Sequence, residues 1–275
     1  MVLTALAMIA FAANSLLCRM ALAGGEIDPG TFALVRVASG AATLAAIVFA
    51  RRGITRWRPD WKAAAALTGY LVFFSFAYVG LTAGTGALIL FGAVQLTMFA
   101  AALKSGERLP PLGWAGLAVA AAGLVVLVAP GVSAPRPLPA AAMAVAGIAW
   151  GLYSLLGRGA GDPLAATARN FLWATVLVAP VGLFYGGVVT SSATGIALAL
   201  TSGVLASGLG YVIWYAALAG LTAGSAATVQ LSVPVIAALG GVVFLGEALT
   251  PRLLVASAAT LGGIALVLSL RRPAS

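Results

Sequence analysis

Long apolar stretches, broken only by short clusters of Gly, Pro and polar residues, run the whole length of this sequence and constrain its fold more than any motif does. They fall near residues 2–22, 30–50, 63–80, 86–104, 111–129, 138–157, 164–186, 195–217, 225–245 and 251–270. A helix of roughly 20 apolar residues crosses the hydrocarbon core of a bilayer, and a helix satisfies its own backbone there. Charge is scarce to match. Of 275 residues, 15 are Lys or Arg and 6 are Asp or Glu, 8% in all, against ~25% in a soluble domain. So few charges cannot coat a water-facing surface, which excludes a soluble enzyme, a nucleic-acid binder and a disordered chain despite the net charge of +9. The fold class implied is an all-α integral membrane protein of ten transmembrane helices. The first segment opens the chain as a signal peptide would, but it lacks a basic leading region and resembles a later internal segment. It reads as span one.

The basic excess orients the bundle. Arg51, Arg52, Arg56, Arg58 and Lys62 lie between spans two and three, Lys104 and Arg108 after span four, Arg158 after span six, and Arg271 and Arg272 after span ten. Ten spans place all of these on one side, opposite Glu26, Asp28, Arg136, Glu247 and Arg252, with Arg19 near that end of span one. The bias of Lys and Arg toward the cytoplasm puts both termini there.

An internal repeat divides the chain. Gly80-Leu81-Thr82-Ala83-Gly84 recurs as Gly220-Leu221-Thr222-Ala223-Gly224, and at the same shift Gly106-Glu107 matches Gly246-Glu247, Pro111 matches Pro251 and Gly123 matches Gly263. Ser15-Leu16-Leu17-Cys18-Arg19 parallels Ser154-Leu155-Leu156-Gly157-Arg158 near the start of each half. The halves are 1–129 and 138–275. Each holds an odd number of spans, so the second is inverted relative to the first, the architecture with which secondary transporters build two alternating gates around a midplane site.

The segment Phe244-Leu245-Gly246-Glu247-Ala248-Leu249-Thr250-Pro251, with Gly262-Gly263-Ile264 after it, resembles the closing signature of EamA-type repeats of the drug/metabolite transporter superfamily. Lys104-Ser105-Gly106-Glu107-Arg108-Leu109-Pro110-Pro111 is a weaker first copy, so the resemblance spans the chain. It implies a multi-pass carrier of a bacterial-type inner membrane that exports a small metabolite, with amino acids, including aromatic ones, as a well-represented substrate class. Small multidrug members use a glutamate in their first helix. Here that helix carries Asn14 and Ser15 instead.

With no His and a single Cys, no cofactor or metal is expected, and the commonest general base is missing. An integral-membrane enzyme and a channel are the competing classes; the first lacks clustered catalytic groups and the second would need a continuous polar stripe. Every Asp and Glu falls in a loop or at a helix end, which leaves no buried carboxylate for proton coupling. Glu107 and Glu247 are read as structural, pinning the turns ahead of Pro111 and Pro251 at helix N-termini. Arg36 and Arg169 lie about two turns inside spans two and seven; each either binds a substrate carboxylate or snorkels to the headgroups.

Cavity candidates are the polar and aromatic residues within spans: Asn14 and Ser15; Tyr70, Phe74 and Tyr78 on one helical stripe; Gln95; Trp150 and Tyr153; Tyr211 and Trp214; and Gln230. For Tyr78, Trp214 and Tyr215, near span ends, an interfacial aromatic belt is the plainer account. Pro234 would free the carbonyl of Gln230 and kink span nine as a hinge or a static bend. The expected partners are a small-molecule substrate and membrane lipid, without nucleic acid; the sequence leaves the oligomeric state open, and a monomer is compatible with it. The function read is export of a small amphipathic metabolite, amino acids foremost, by alternating access, with a multidrug or other metabolite exporter as the alternative.

Overall fold

The computed structural model describes residues 1–53, 57–131, 133–158, 160–186 and 191–270. Arg56, Arg271 and Arg272, used above to orient the chain, lie outside them. The described residues form helices and connecting turns. Spans one to seven are Val2–Ala23, Pro29–Arg52, Trp61–Tyr78, Ala83–Lys104, Pro111–Val128, Pro137–Leu156 and Pro163–Gly186, and span ten is Pro251–Leu270. Span eight, Ala193–Leu218, contains a π-helical segment, Ser202–Leu209. Span nine is broken at Leu231 into Ala223–Gln230 and Ser232–Leu245. Nine of these are long and apolar enough to cross a membrane. Span three has 18 residues and carries Lys62, Tyr70, Ser75 and Tyr78, a polar load suited to an interior helix.

Local chemistry starts and stops the spans. Asp28 precedes Pro29 and accepts from Thr31 N–H at 2.7 Å, and Asp60 accepts from Ala63 N–H at 3.1 Å. Asp162 precedes Pro163 and accepts from Ala165 N–H at 3.2 Å. These are N-caps, and after Asp28 and Asp162 a Pro takes the first helical position, where its missing donor does no harm. The Gly-Leu-Thr-Ala-Gly repeat is a capping element as well: Thr82 accepts from Thr85 N–H and Thr222 from Ser225 N–H. Gly106 and Gly246 have φ of +89° and +64°, the left-handed conformation that ends a helix at little cost only in glycine. That accounts for the glycine of each Gly-Glu pair.

The helices pack in pairs. Span two runs along span seven and span five along span ten; span three pairs with six and eight with one; four pairs with nine. Spans two and seven are antiparallel, with Gly30 against Tyr185 and Gly40 against Phe171. Small residues permit the closest approaches, because lipid offers no hydrophobic force to drive helices together. A Cβ on Gly123 would meet Thr260 Oγ1 at 2.5 Å. Of the GxxxG pairs in the sequence, Gly182 packs on Leu34, but nothing from another span lies within 4 Å of a Cβ on Gly220. Pro180 sits within a span seven that continues past it.

Candidate functional site

Arg36 lies at the centre of the bundle, two turns into span two and only 1% exposed. Its Nε donates to Ser207 Oγ at 3.2 Å and its Nη2 to the Tyr70 hydroxyl at 2.8 Å. The guanidinium carbon lies 4.7 Å from the centre of the Phe74 ring and 5.3 Å from that of Tyr70. The remaining nitrogen, Nη1, is buried without a hydrogen-bond partner among the described residues. A cavity of about 10 Å³ opens beside it, with Phe11, Asn14, Phe91, Trp150 and Tyr211 in its wall. That is room for about one water, so the site is occluded.

Three features build this arrangement. Tyr70 stacks on Trp150 at 5.3 Å, and Phe11 stands edge-on to Trp150, Tyr211 and Trp214. The π-helical segment brings Ser202 and Ser207 to the Asn14 Oδ1 atom at 2.8 and 3.3 Å, while Asn14 Nδ2 donates to Ala206 O at 3.3 Å. Gly203 lets span two close in, since a Cβ there would collide with the carbonyl oxygen of Arg36. Wide turns of this kind recur at functional sites, where they re-aim side chains.

A buried guanidinium in a membrane protein is costly unless charge and hydrogen bonds compensate it. Ring faces supply part of that compensation. No Asp or Glu is among the residues lining this cavity. The guanidinium therefore has no carboxylate partner among the described residues that line the cavity.

At one end of the bundle Arg19 and Glu247 form a latch across the ends of four spans. Glu247 Oε1 accepts from Arg19 Nε at 3.2 Å, and Oε2 accepts from Ala83 N–H at 2.8 Å. Arg19 Nη1 also donates to the carbonyls of Tyr78 and Val79 at 3.0 and 3.3 Å. The end of span nine thus caps span four and, through Arg19, holds the ends of spans one and three. This corrects the expectation that Glu247 pins its own turn. Thr250 caps span ten, accepting from Leu253 N–H at 3.2 Å. Glu107 is exposed on the turn after span four.

At the opposite end a cavity of about 480 Å³ opens between the starts of spans three and seven and the end of span six. A polar layer separates it from Arg36: Thr167 shares a 2.6 Å hydrogen bond with the Tyr215 hydroxyl, and the Tyr153 hydroxyl donates to Thr167 at 3.5 Å. Arg169 belongs here, 3.9 Å from Asp60, away from the central cavity.

The structure therefore brings Asn14, Ser15, Arg36, Tyr70, Phe74, Trp150 and Tyr211 together. Tyr153 and Trp214 are buried just beside them. Tyr78 is fully buried, its hydroxyl donating to Ala83 O at 3.3 Å beside the latch, so neither it nor Trp214 sits in an exposed aromatic belt. Tyr215 is half-buried in the polar layer. Gln95 is buried one turn beyond Phe91, outside the cavity wall, and Gln230 is half-buried where span nine breaks, just before Leu231 and ahead of the buried Pro234. Phe11, Phe91, Arg19 and Thr167 escaped the sequence reading as site residues. Phe11 was within reach, one turn before Asn14 on the same face.

A family model described as the EamA-like transporter family matches residues 138–269. An uncharacterized protein of Pseudomonas aeruginosa is 54% identical over 272 residues, 98% of this chain and 95% of that protein. The probable terminal-alkyne amino-acid exporter of Streptantibioticus cattleyicolor is 31% identical over 223 residues, 77% of this chain and 74% of the relative. The threonine/homoserine exporter RhtA of Escherichia coli is 31% identical over 154 residues, 55% of this chain and 52% of the exporter. A solved crystal structure shares the fold, with a TM-score of 0.69 at 24% identity over 97% of this chain and 99% of that one.

Proposed function

The chain belongs to the EamA-like transporter family of the drug/metabolite transporter superfamily, and from that premise we propose that it exports amino acids from the cytoplasm by alternating access. It is a multi-pass membrane transporter, not an enzyme. The observation that carries the substrate class is Arg36: a buried guanidinium with one unpartnered nitrogen, in an aromatic cavity whose wall holds no carboxylate. A substrate carboxylate pairs with Arg36, and its ammonium or apolar side chain lies on the rings of Trp150, Tyr211 and Phe11. The two exporters named above handle amino acids by their names, which supports the same reading.

In this proposal residues 1–129 and 138–275 are inverted repeats, and the cavity of about 480 Å³ is a vestibule that faces, with both termini, the cytoplasm of a bacterial-type inner membrane, in keeping with the bias of the basic loops. The conformation is closed outside by Arg19–Glu247 and inside, below the vestibule, by Tyr153, Thr167 and Tyr215. Export begins when the polar layer parts, admits substrate to Arg36 and reseals; the latch then opens outward. The central cavity is lined by residues of a single chain. No titrating carboxylate enters the cycle, so exchange or downhill export suffices. A multidrug reading fits the aromatic wall but sets a buried cation against the cations such exporters carry.

The test is inhibition of threonine transport in proteoliposomes by analogues. L-Threonine and L-phenylalanine should compete, threonine amide, which lacks the carboxylate, should not, and Arg36→Gln should abolish transport. Competition by lipophilic cations and not by amino acids would replace this reading with the multidrug one.

A further inference from the structure

Among the described residues, polar atoms of both signs at this vestibule of about 480 Å³ have no hydrogen-bond partner. Asn170 is 4% exposed, lines the cavity, and its Oδ1 has no hydrogen-bond partner. Arg169 Nε next to it is buried and also without a partner. Asp60 Oδ2 stands 3.9 Å from Arg169 Nη2, long for a charge-assisted bond, while its Oδ1 is committed to the Ala63 cap. Asp162, by contrast, is already paired with Arg52 at 2.8 Å. The repeat adds an independent observation. Asp28-Pro29 and Asp162-Pro163 open spans two and seven, and seven residues past each proline stand Arg36 and Asn170. Asn170 thus occupies in the second half the position of the central guanidinium in the first.

We propose that the vestibule is a second substrate site, specific for zwitterions, at which an amino acid docks before it reaches Arg36. Its carboxylate takes the Nε and Nη2 donors of Arg169 together, the bidentate fork a guanidinium offers. Its ammonium donates to Asn170 Oδ1 and Asp60 Oδ2, parting the long Asp60–Arg169 pair. Among the described residues that line the cavity, Arg158 and Arg169 supply positive charge and Asp60 and Asp162 negative, so its wall presents both signs, as a zwitterion requires. The central cavity, with one cation and no acid, makes no such demand for an ammonium. At about 480 Å³ the vestibule holds an amino acid with its first waters.

This inference rests on amino acids being the cargo, and the following experiment separates the two. Binding of tritiated L-threonine is titrated on purified protein in nanodiscs. Two molecules should bind per wild-type chain, and one per chain in Arg169→Gln and in Asn170→Ala, with the affinity of the remaining site unchanged. Both residues line an open cavity, and a thermal melt checks that the variants fold. N-acetyl-threonine, which lacks the ammonium, should displace only the threonine retained by Arg169→Gln. A stoichiometry of one in wild type, unaltered by Arg169→Gln, overturns the vestibular site and leaves the central one. A single wild-type site that Arg169→Gln removes supports the vestibule and refutes the central reading. No binding to wild type refutes both.

Discussion

Replacing Glu247 with Gln removes the charge of the latch and keeps its shape. The carboxylate serves two partners in the closed state: Arg19 Nε at 3.2 Å and the first N–H of span four, Ala83, at 2.8 Å. The side chains are 21% exposed for Arg19 and 12% for Glu247, so solvent screens the pair only in part. A charge-assisted bond contributes about 1.5–3 kcal/mol and a carboxylate at a helix N-terminus ~0.3–1 kcal/mol. Gln retains one acceptor for Ala83. With screening taken into account, the closed state loses about 2–3 kcal/mol. At ~1.4 kcal/mol per factor of ten, the equilibrium between closed and open latch moves roughly 30–150-fold. The chain carries its own reporter. Cys18, its one cysteine, is fully buried next to Arg19 and beside Ser75 of span three. Arg19 also holds the end of span three, so opening the latch separates spans one and three and uncovers the thiol. Alkylation of Cys18 by a membrane-impermeant maleimide should accelerate in Glu247→Gln by the same factor, provided that reclosure outpaces the chemistry. An unchanged rate in a folded variant would refute the latch.

Other outcomes follow from single contacts. Tyr70→Phe deletes the hydroxyl that accepts from Arg36 at 2.8 Å, leaving a second guanidinium nitrogen unpaired; melting should show a loss of about 1–3 kcal/mol, and KM for amino acids should change as the fork reorients. Gly123→Ala forces a Cβ to 2.5 Å from Thr260 Oγ1 and 2.7 Å from its backbone nitrogen, and should destabilise by about 1–3 kcal/mol or more in a thermal melt. Deleting the exposed Leu205 would restore α-helical register across the π segment and turn Ser207 away from Arg36 and Asn14; transport should vanish while the protein still inserts and purifies. Counterflow should be flat between about pH 6 and 8, because no Asp, Glu or His is among the described residues that line the central cavity.

The sequence disclosed the ten spans because hydropathy at membrane length is a strong signal, and the structure places their ends within three residues of the reading. It disclosed Tyr70 and Phe74 as one face because a period of four residues is visible in a single helix. Which faces meet was not legible. An amide within an apolar run marks Gln95 and Gln230 as cavity candidates, yet rotation of their helices leaves both out of the wall, and no local pattern encodes that rotation. Glu247 was legible as a capping carboxylate, but its client Ala83 lies 164 residues away, a distance no local motif spans. The π segment left no trace in hydropathy, since one extra residue per turn changes which side chains face inward without changing how apolar they are. Arg36 and Arg169 looked alike at equal depth, and only the packed bundle buries one and leaves the other at a vestibule.

Counterflow in proteoliposomes loaded with unlabelled threonine, with no ion gradient, tests the central claim most directly. Labelled threonine should enter saturably through the wild-type protein and not through Arg36→Gln, whose Gln keeps the polarity of the site and loses its charge. Equal entry through both proteins, or no entry of any amino acid through wild type, would contradict the account.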